Sequence, residues 1–170
     1  SADGAAGRTT ATAGLHTMPA ELRPAIAAHD DHVLVRADLG QIEPRVLAAV
    51  SGDEQLAAAT QQDDLYASVA QALRVERDVA KVAVLGAMYG QTTGRGAQAL
   101  RGLDQQYPVA MEHLRRADVA AQGGVDLVTH GGRRLEMSSS AAGDMSSGAP
   151  RARAAARGRY GRNAVNQGAA

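Results

Sequence analysis

The stretch RDVAKVAVLGAMYG, residues 77–90, decides the predicted fold of this 170-residue chain. The stretch is typical of a helix, in which residues four positions apart share one face. The stretch therefore predicts a helix from Glu76 to about Tyr89. Gly90 is typical of the residue that closes a helix at its C-terminal end.

Four side chains of this helix form one stripe, because Arg77, Lys81, Leu85 and Tyr89 recur every four residues. Arg77 and Lys81 lie on adjacent turns, where a planar guanidinium and a compact ammonium can together bind a triphosphate. Lys81 is the only lysine in a chain with 17 arginines, which indicates that an ammonium is needed at this position. A plain surface stripe with a packed edge is the alternative interpretation.

A strand, a turn and a second helix are predicted earlier in the chain. HVLVRA at 32–37 alternates apolar and polar residues, which predicts a strand that runs into Asp38. After Gly40, QIEPRVLAAV at 41–50 predicts a helix with Pro44 near its start. A carboxylate at a strand end beside a small residue can bind Mg²⁺, although turn or cap residues are also common there.

The remaining segments predict mostly helices and one hairpin, so the fold class is α+β. VDLVTH and RRLEM, separated by Gly131 and Gly132, predict a β-hairpin, and Pro150 opens a long Arg-rich helix. Further helices are predicted at Asp53 to about Thr60, Leu65 to about Leu73, and about Gln106 to Gln122.

The Arg-rich helix carries a second polar stripe. Arg159, Asn163 and Gln167 are four residues apart, and a cation with two amides suits the acceptors of a nucleic-acid minor groove. The chain has no net charge, but residues 1–64 carry ten acids and four arginines, whereas residues 65–170 carry eight acids and fourteen bases. A solvated polar face is the alternative interpretation of both features.

Composition excludes several classes of protein. The sequence has no cysteine, which excludes a disulfide scaffold and a thiolate metal site. Only 2% of residues are aromatic, so the core is predicted to consist of Ala, Val, Leu, Ile and Met. No apolar run is long enough for a membrane span or a signal peptide. We expect a soluble, cytoplasmic, monomeric protein without membrane contact.

Two of these stretches together resemble a known family. DLGQIEPR at 38–45 resembles motif A of the family A DNA polymerases, whose usual form is Asp-Tyr-Ser-Gln-Ile-Glu-Leu-Arg. R-x-x-x-K-x-x-x-L-G-x-x-Y-G at 77–90 resembles motif B, and the two motifs occur in the family order. Gly7-Arg8, LHTMP at 15–19 and NAVNQGAA at 163–170 extend the resemblance over nearly the whole chain.

The resemblance implies an architecture and an activity. Residues 1–50 would be part of a palm with antiparallel strands, 51–125 a mainly helical fingers subdomain, and 126–170 the return to the palm. The activity would be template-directed DNA synthesis, as in replication and repair. Primer–template DNA and deoxynucleoside triphosphates would be the substrates, and two Mg²⁺ ions the cofactors of the intact enzyme.

The resemblance also implies individual roles. Asp38 and the backbone carbonyl of Leu39 would hold Mg²⁺, while Arg77 and Lys81 would bind the triphosphate. Lys81 would in addition neutralise or protonate the leaving pyrophosphate.

The remaining roles concern the base pair, the sugar and the duplex. Gln41 would contact the nascent base pair or the primer, and Glu43 would lie at the sugar and exclude a 2′-hydroxyl. Leu85 stands where the family usually has Phe or Tyr against the incoming nucleotide, and Tyr89 would lie near the templating base. The residues expected at the duplex are Arg8, Arg45, Arg159, Asn163 and Gln167.

The sequence departs from the family pattern in ways that leave alternatives open. Leu39, Gly40, Pro44, Val84 and Leu85 replace the usual residues, and the chain ends before motif C, which supplies the second metal-bridging carboxylate. We therefore expect a fragment that is inactive alone. A non-catalytic nucleic-acid-binding remnant is the main alternative, and it would bind duplex independently of Mg²⁺. Two further alternatives are a single-subunit RNA polymerase and a helical interaction domain. The first would incorporate ribonucleotides, and the second would bind neither DNA nor nucleotide.

Overall fold

The computed structural model describes residues 18–35, 37–90, 96–137 and 150–167, and these are mainly helical. A 3₁₀-helix, Ala20–Ala25, precedes the first α-helix. In chain order the other elements are α1 (Ile42–Ser51), α2 (Glu54–Thr60), α3 (Leu65–Leu73), α4 (Arg77–Tyr89), α5 (Gly96–Gln106), α6 (Pro108–Gln122), β1 (Leu127–Val128), β2 (Arg134–Leu135) and α7 (Pro150–Gln167).

Most of the predicted elements are confirmed. The predicted motif B helix is α4, and Gly90 closes it in the left-handed conformation at φ 70°. The hairpin is antiparallel, with Leu127 paired to Leu135 and Val128 to Arg134. The long Arg-rich helix begins at Pro150. A mainly helical chain with this small sheet is consistent with the α+β class.

The sequence prediction missed α5 and placed the start of α6 slightly early. Helix α5 contains Gly102, and glycine inside a helix weakens the local helical signal. The structural reason for this glycine is close packing, since a Cβ on Gly102 would lie 3.0 Å from Cδ2 of Leu73. Helix α6 begins only at Pro108, because Tyr107 separates the two helices in a non-helical conformation.

The strand predicted at 32–37 is wrong for the residues that the structure describes there. Val33, Leu34 and Val35 have no assigned secondary structure and are 83%, 65% and 86% exposed. A strand needs a hydrogen-bonded neighbour, and within the described ranges the hairpin is the only sheet. Asp38 therefore lies in an exposed, irregular segment and not at a strand end.

The main core is formed by residues from Leu47 in α1 to Leu114 in α6 and consists mostly of Ala, Leu and Val, as predicted. The prediction missed Tyr66 and Tyr107, which are also buried in this core. Leu65, Val69 and Leu114 are completely buried at its centre, with Met88 beside them. A smaller cluster lies under the hairpin and α7 and consists of Ala121, Leu135, Met137 and Ala164. Within the described residues, no helix is long and apolar enough to cross a membrane.

Asp53 joins the starts of two helices. It is 2% exposed, and its Oδ1 accepts a hydrogen bond from the Leu56 backbone N at 2.9 Å, which caps α2. Its Oδ2 accepts from the backbone N atoms of Val109 and Ala110 at 3.1 and 3.0 Å, at the start of α6. One carboxylate thus satisfies donors at two helix N-termini, where negative charge is favourable.

Helices α6 and α7 approach closely because two glycines of α7 face α6. A Cβ on Gly161 would lie 2.6 Å from the Cβ of Ala121 and 2.8 Å from the carbonyl oxygen of Ala117. A Cβ on Gly158 would collide with Oδ1 of Asp118. The same Asp118 forms an ion pair with Arg162 at 2.8 Å, and the two side chains are only 14% and 19% exposed.

We predict that Gly161→Ala destabilises the protein by about 1–3 kcal/mol, because the added methyl group overpacks the contact between α6 and α7. Gly123→Ala is the matched control, since Gly123 has a φ of −73° and a Cβ there would make only ordinary contacts from 3.5 Å. Its effect is expected within about 0.5 kcal/mol. Urea unfolding of both variants measures the difference, and equal stabilities would contradict the close packing.

We predict that stability falls as pH is lowered through 6.5, the ordinary pKa of histidine. Burial lowers the pKa of His113, with Arg116 and His130 adding to the effect, and its buried Nε2 has no hydrogen-bond partner among the described residues. The folded chain therefore resists a proton that the unfolded chain accepts, which favours unfolding below that pH.

The measurement is the free energy of unfolding at about pH 7.5 and about pH 5.5. His113→Gln should reduce the loss on acidification, whereas His32→Gln, at an exposed histidine, should leave it as in the parent. A loss that is unchanged in His113→Gln would show that other groups cause it.

Candidate active site

The start of α1 and the end of α4 meet through one side-chain pair. The Tyr89 hydroxyl donates to the carboxylate of Glu43, with distances of 2.6 and 2.7 Å to its two oxygens. A hydrogen bond to a carboxylate is stronger than one between neutral groups. Two residues selected from separate motifs, 46 positions apart, are thus in direct contact.

Gln41 connects the same part of the chain to α3. It has a left-handed conformation, with φ 58°, immediately before α1. Its side-chain Nε2 donates to Oδ1 of Asp64 at 3.2 Å, and its Oε1 accepts from the backbone N of Leu65 at 2.8 Å. Both polar ends of the amide are therefore engaged at the N-terminus of α3.

Arg77 forms an ion pair with Asp64, the residue that caps the N-terminus of α3. Its Nε lies 2.6 Å from Oδ2 of Asp64, and its guanidinium carbon lies 5.8 Å from the ring centroid of Tyr66. The hydrogen bond from Arg77 holds the pKa of Asp64 below its ordinary value, and the same bond raises the pKa of Arg77. Burial raises the pKa of the Tyr66 hydroxyl, and the Glu43 charge adds to that increase. Asp64 and Arg77 are therefore both charged at neutral pH.

The exposure of the four stripe residues decreases along α4 from its N-terminal to its C-terminal end. Arg77 and Lys81 are exposed, whereas Leu85 and Tyr89 are half-buried. Leu85 packs against the main core. Lys81 forms no ion pair within the described residues, and the residue is exposed. The two cations lie at the exposed end of the stripe, where Arg77 is paired with Asp64, and the two half-buried side chains lie at the other end.

The segment before α1 contains the predicted metal-binding residues. Asp38 is exposed, and Leu39 is 72% exposed. In the part of the chain that the structure describes, no three His, Asp or Glu side chains cluster as a metal site. A carboxylate and a backbone carbonyl are hard oxygen donors of the kind that Mg²⁺ prefers, so the donor type of Asp38 and Leu39 fits, with one carboxylate between these two residues.

The predicted DNA-binding residues differ in their surroundings. The Arg45 guanidinium donates to the backbone oxygens of Gln62 and Asp63 at 3.0 and 3.1 Å and also to that of Thr60, so it holds the end of α2. Arg159 is exposed and packs beside Gly90, where a Cβ would lie 2.7 Å from its Cγ.

Three further predictions concern the duplex contacts. Asn163, on the same helix as Arg159, is half-buried. Arg8 and the side chain of Gln167 lie outside the described residues.

Sequence reasoning missed Asp64, Tyr66 and Asn166. Asp64 had a detectable signal, because an acid directly before an apolar helical run is typical of an N-cap, and its Oδ1 accepts from the backbone N of Tyr66. Asn166 had none. It is 2% exposed, and its Nδ2 donates to the carbonyl oxygen of Glu43 at 2.9 Å and contacts Sδ of Met88 at 3.7 Å. This residue joins α7 to α1 and α4.

Comparison with known proteins identifies the class. The sequence model of DNA polymerase family A matches residues 14–170, and the chain therefore belongs to this family. A DNA polymerase I from Chloroflexus aurantiacus is 42% identical over 90 residues, which is 47% of this chain and 10% of that protein. The chain thus spans about a tenth of the length of this relative. The resemblance identified from motifs A and B is confirmed.

Proposed function

We propose that this chain is a segment of a DNA-directed DNA polymerase and builds the part of its active site that binds the incoming deoxynucleoside triphosphate. The observation that carries the proposal is the contact between Tyr89 and Glu43 at 2.6 and 2.7 Å. This contact joins the start of α1, where motif A enters the helix, to the end of α4, the helix that carries Arg77 and Lys81. Family membership and the relative's name, DNA polymerase I, support DNA synthesis as the reaction.

Arg77 and Lys81 are proposed to bind the triphosphate. They lie on adjacent turns of α4 and both are exposed, so two positive charges face the same region of solvent. The guanidinium suits two-point contact with phosphate oxygens, and the ammonium supplies a compact charge. Lys81 is further proposed to stabilise, or donate a proton to, the pyrophosphate that leaves.

Glu43 and Leu85 are proposed to select the sugar. The Tyr89 hydroxyl orients the Glu43 carboxylate, which would lie where a 2′-hydroxyl would project. Leu85 is proposed to provide an apolar surface for the sugar and base, with less area than an aromatic side chain. Gln41 is proposed to contact the nascent base pair or the primer. To do so, its side-chain amide has to break its hydrogen bonds with Asp64 and with the backbone of Leu65.

Asp38 and the carbonyl of Leu39 are proposed as ligands for Mg²⁺, with the second carboxylate supplied by a part of the polymerase outside this sequence. Bound Mg²⁺ would act as a Lewis acid on the phosphate and lower the pKa of the attacking hydroxyl. The exposure of Asp38 leaves its carboxylate accessible to a metal–nucleotide complex. This chain's own contribution is to hold one carboxylate and two phosphate-binding cations.

The primer–template duplex is proposed to lie along the arginines of α7. Arg151, Arg153 and Arg159 are exposed on this helix. Contacts of this kind bind phosphates without reading sequence, as a polymerase requires. We propose that the enzyme works as a monomer in the cytoplasm.

We predict that Asp38→Ala in the full-length polymerase abolishes primer extension, with a loss of about 10³-fold or more, and leaves duplex affinity nearly unchanged. Asp30→Ala is the matched control, because Asp30 is another exposed acid in the same irregular segment. Primer extension and duplex titration at several salt concentrations measure both properties. A full extension rate in Asp38→Ala would exclude the metal role. Duplex binding without extension in the parent protein would favour the non-catalytic remnant.

We predict that Lys81→Ala lowers kcat/KM for the nucleotide by about 10²-fold, because a charge-assisted phosphate contact contributes roughly 3 kcal/mol. Lys81→Arg keeps the positive charge and should recover part of the loss. Arg101→Ala, which removes an exposed cation from α5, is the control and should have no effect. Single-nucleotide incorporation measures kcat/KM for each variant. A kcat/KM that is the same in Lys81→Ala as in the parent would show that Lys81 is only a solvated surface residue.

A further inference from the structure

The carboxylate of Asp64 is held by four hydrogen bonds from four different groups. Its Oδ1 accepts from the backbone N atoms of Tyr66 and Ala67 at 3.1 and 3.3 Å and from Nε2 of Gln41 at 3.2 Å. Its Oδ2 accepts from Nε of Arg77 at 2.6 Å. Donors from α3, from the motif A turn and from α4 therefore fix the position and orientation of this carboxylate.

The contact with Asp64 leaves the end of the Arg77 guanidinium available. Only Nε donates to Asp64, while Nη1 lies 3.8 Å from Oδ1 of Asp78, beyond ordinary hydrogen-bond distance. The ring of Tyr66 lies 5.8 Å from the guanidinium carbon and limits its movement on one side. The side chains of Arg77 and Asp64 are 48% and 39% exposed, so a phosphate can approach the Nη groups of Arg77, which have no hydrogen-bond partner among the described residues.

We propose that Asp64 is a positioning residue for Arg77: it holds the guanidinium through Nε so that both Nη groups point to the triphosphate. This inference rests on the proposed role of Arg77 in nucleotide binding. Arginine is a long side chain with considerable rotamer freedom, and a partner that restricts it beforehand reduces what the nucleotide must order on binding. Asp64 thus contributes to nucleotide affinity without touching the nucleotide.

A carboxylate close to a phosphate also repels it, so the two effects have opposite signs. At Asp64 the negative charge is already shared among two backbone N–H groups, an amide and a guanidinium, which weakens its repulsion at a distance. We therefore expect orientation of Arg77 to outweigh repulsion. If repulsion were larger, Asp64 would instead compete with the triphosphate for Arg77.

The test uses Asp64→Asn in the full-length polymerase, measured by single-nucleotide incorporation. Asparagine is as good an N-cap as aspartate, so the start of α3 is retained while the charge is lost. The KM for the nucleotide should rise about tenfold, with kcat within about twofold of the parent, because one charge-assisted contact is weakened. Asp78→Asn is the matched control, because Asp78 carries the same charge beside Arg77 but forms no hydrogen bond with it. The KM of Asp78→Asn should equal that of the parent.

A double-mutant cycle separates positioning from a general structural effect. Asp64→Asn should add nothing to KM in an Arg77→Ala background, because its effect passes entirely through Arg77. Thermal unfolding of each variant shows whether the fold is intact. Asp64→Glu keeps the negative charge, so its KM should lie closer to the parent value than the KM of Asp64→Asn.

Two results would overturn the proposal. A KM that is unchanged or lower in Asp64→Asn would show that Asp64 does not help Arg77, even if Arg77→Ala raises KM and so supports the proposed function. An Arg77→Ala variant with the parent KM would instead refute the role of Arg77 itself, and the role of Asp64 with it.

Discussion

One buried amide connects the parts of the chain on which the candidate site depends. Asn166 lies near the end of α7 and donates to the carbonyl oxygen of Glu43 in α1, 123 positions earlier, while contacting Met88 of α4. A buried N–H donor is costly without a partner, so the bond from Nδ2 of Asn166 to Glu43 favours this position of α7. In this position α7 lies close to α6. Gly158 and Gly161 allow the close approach, because a Cβ on either residue would collide with atoms of α6.

Polar contacts between distant parts of the chain join the two motifs. They lie beside a core that consists mainly of Ala, Leu and Val. The contact of Tyr89 with Glu43 then fixes the end of α4, and Gln41 with Asp64 fixes the motif A turn against α3. Each of these bonds joins groups far apart in sequence. The site is therefore a product of the tertiary fold and not of any single helix.

The sequence predicted local structure well and long-range contacts poorly. The helix at 77–90, the hairpin and the helix from Pro150 were predictable because apolar spacing, Gly90 and Pro150 act locally. The strand at 32–37 was wrong because a strand depends on a partner that local pattern cannot supply. The ion pair between Asp64 and Arg77 and the structural use of Arg45 were not predictable, since each depends on how separate helices pack.

A crystal structure of the full-length polymerase with primer–template duplex, Mg²⁺ and a non-hydrolysable deoxynucleoside triphosphate tests the proposed site most directly. We expect triphosphate oxygens within hydrogen-bond distance of Arg77 and Lys81, and Mg²⁺ on Asp38. We also expect Tyr66 and Asp64 still to flank Arg77. A triphosphate bound away from α4, or a metal without Asp38 among its ligands, would contradict the proposed site.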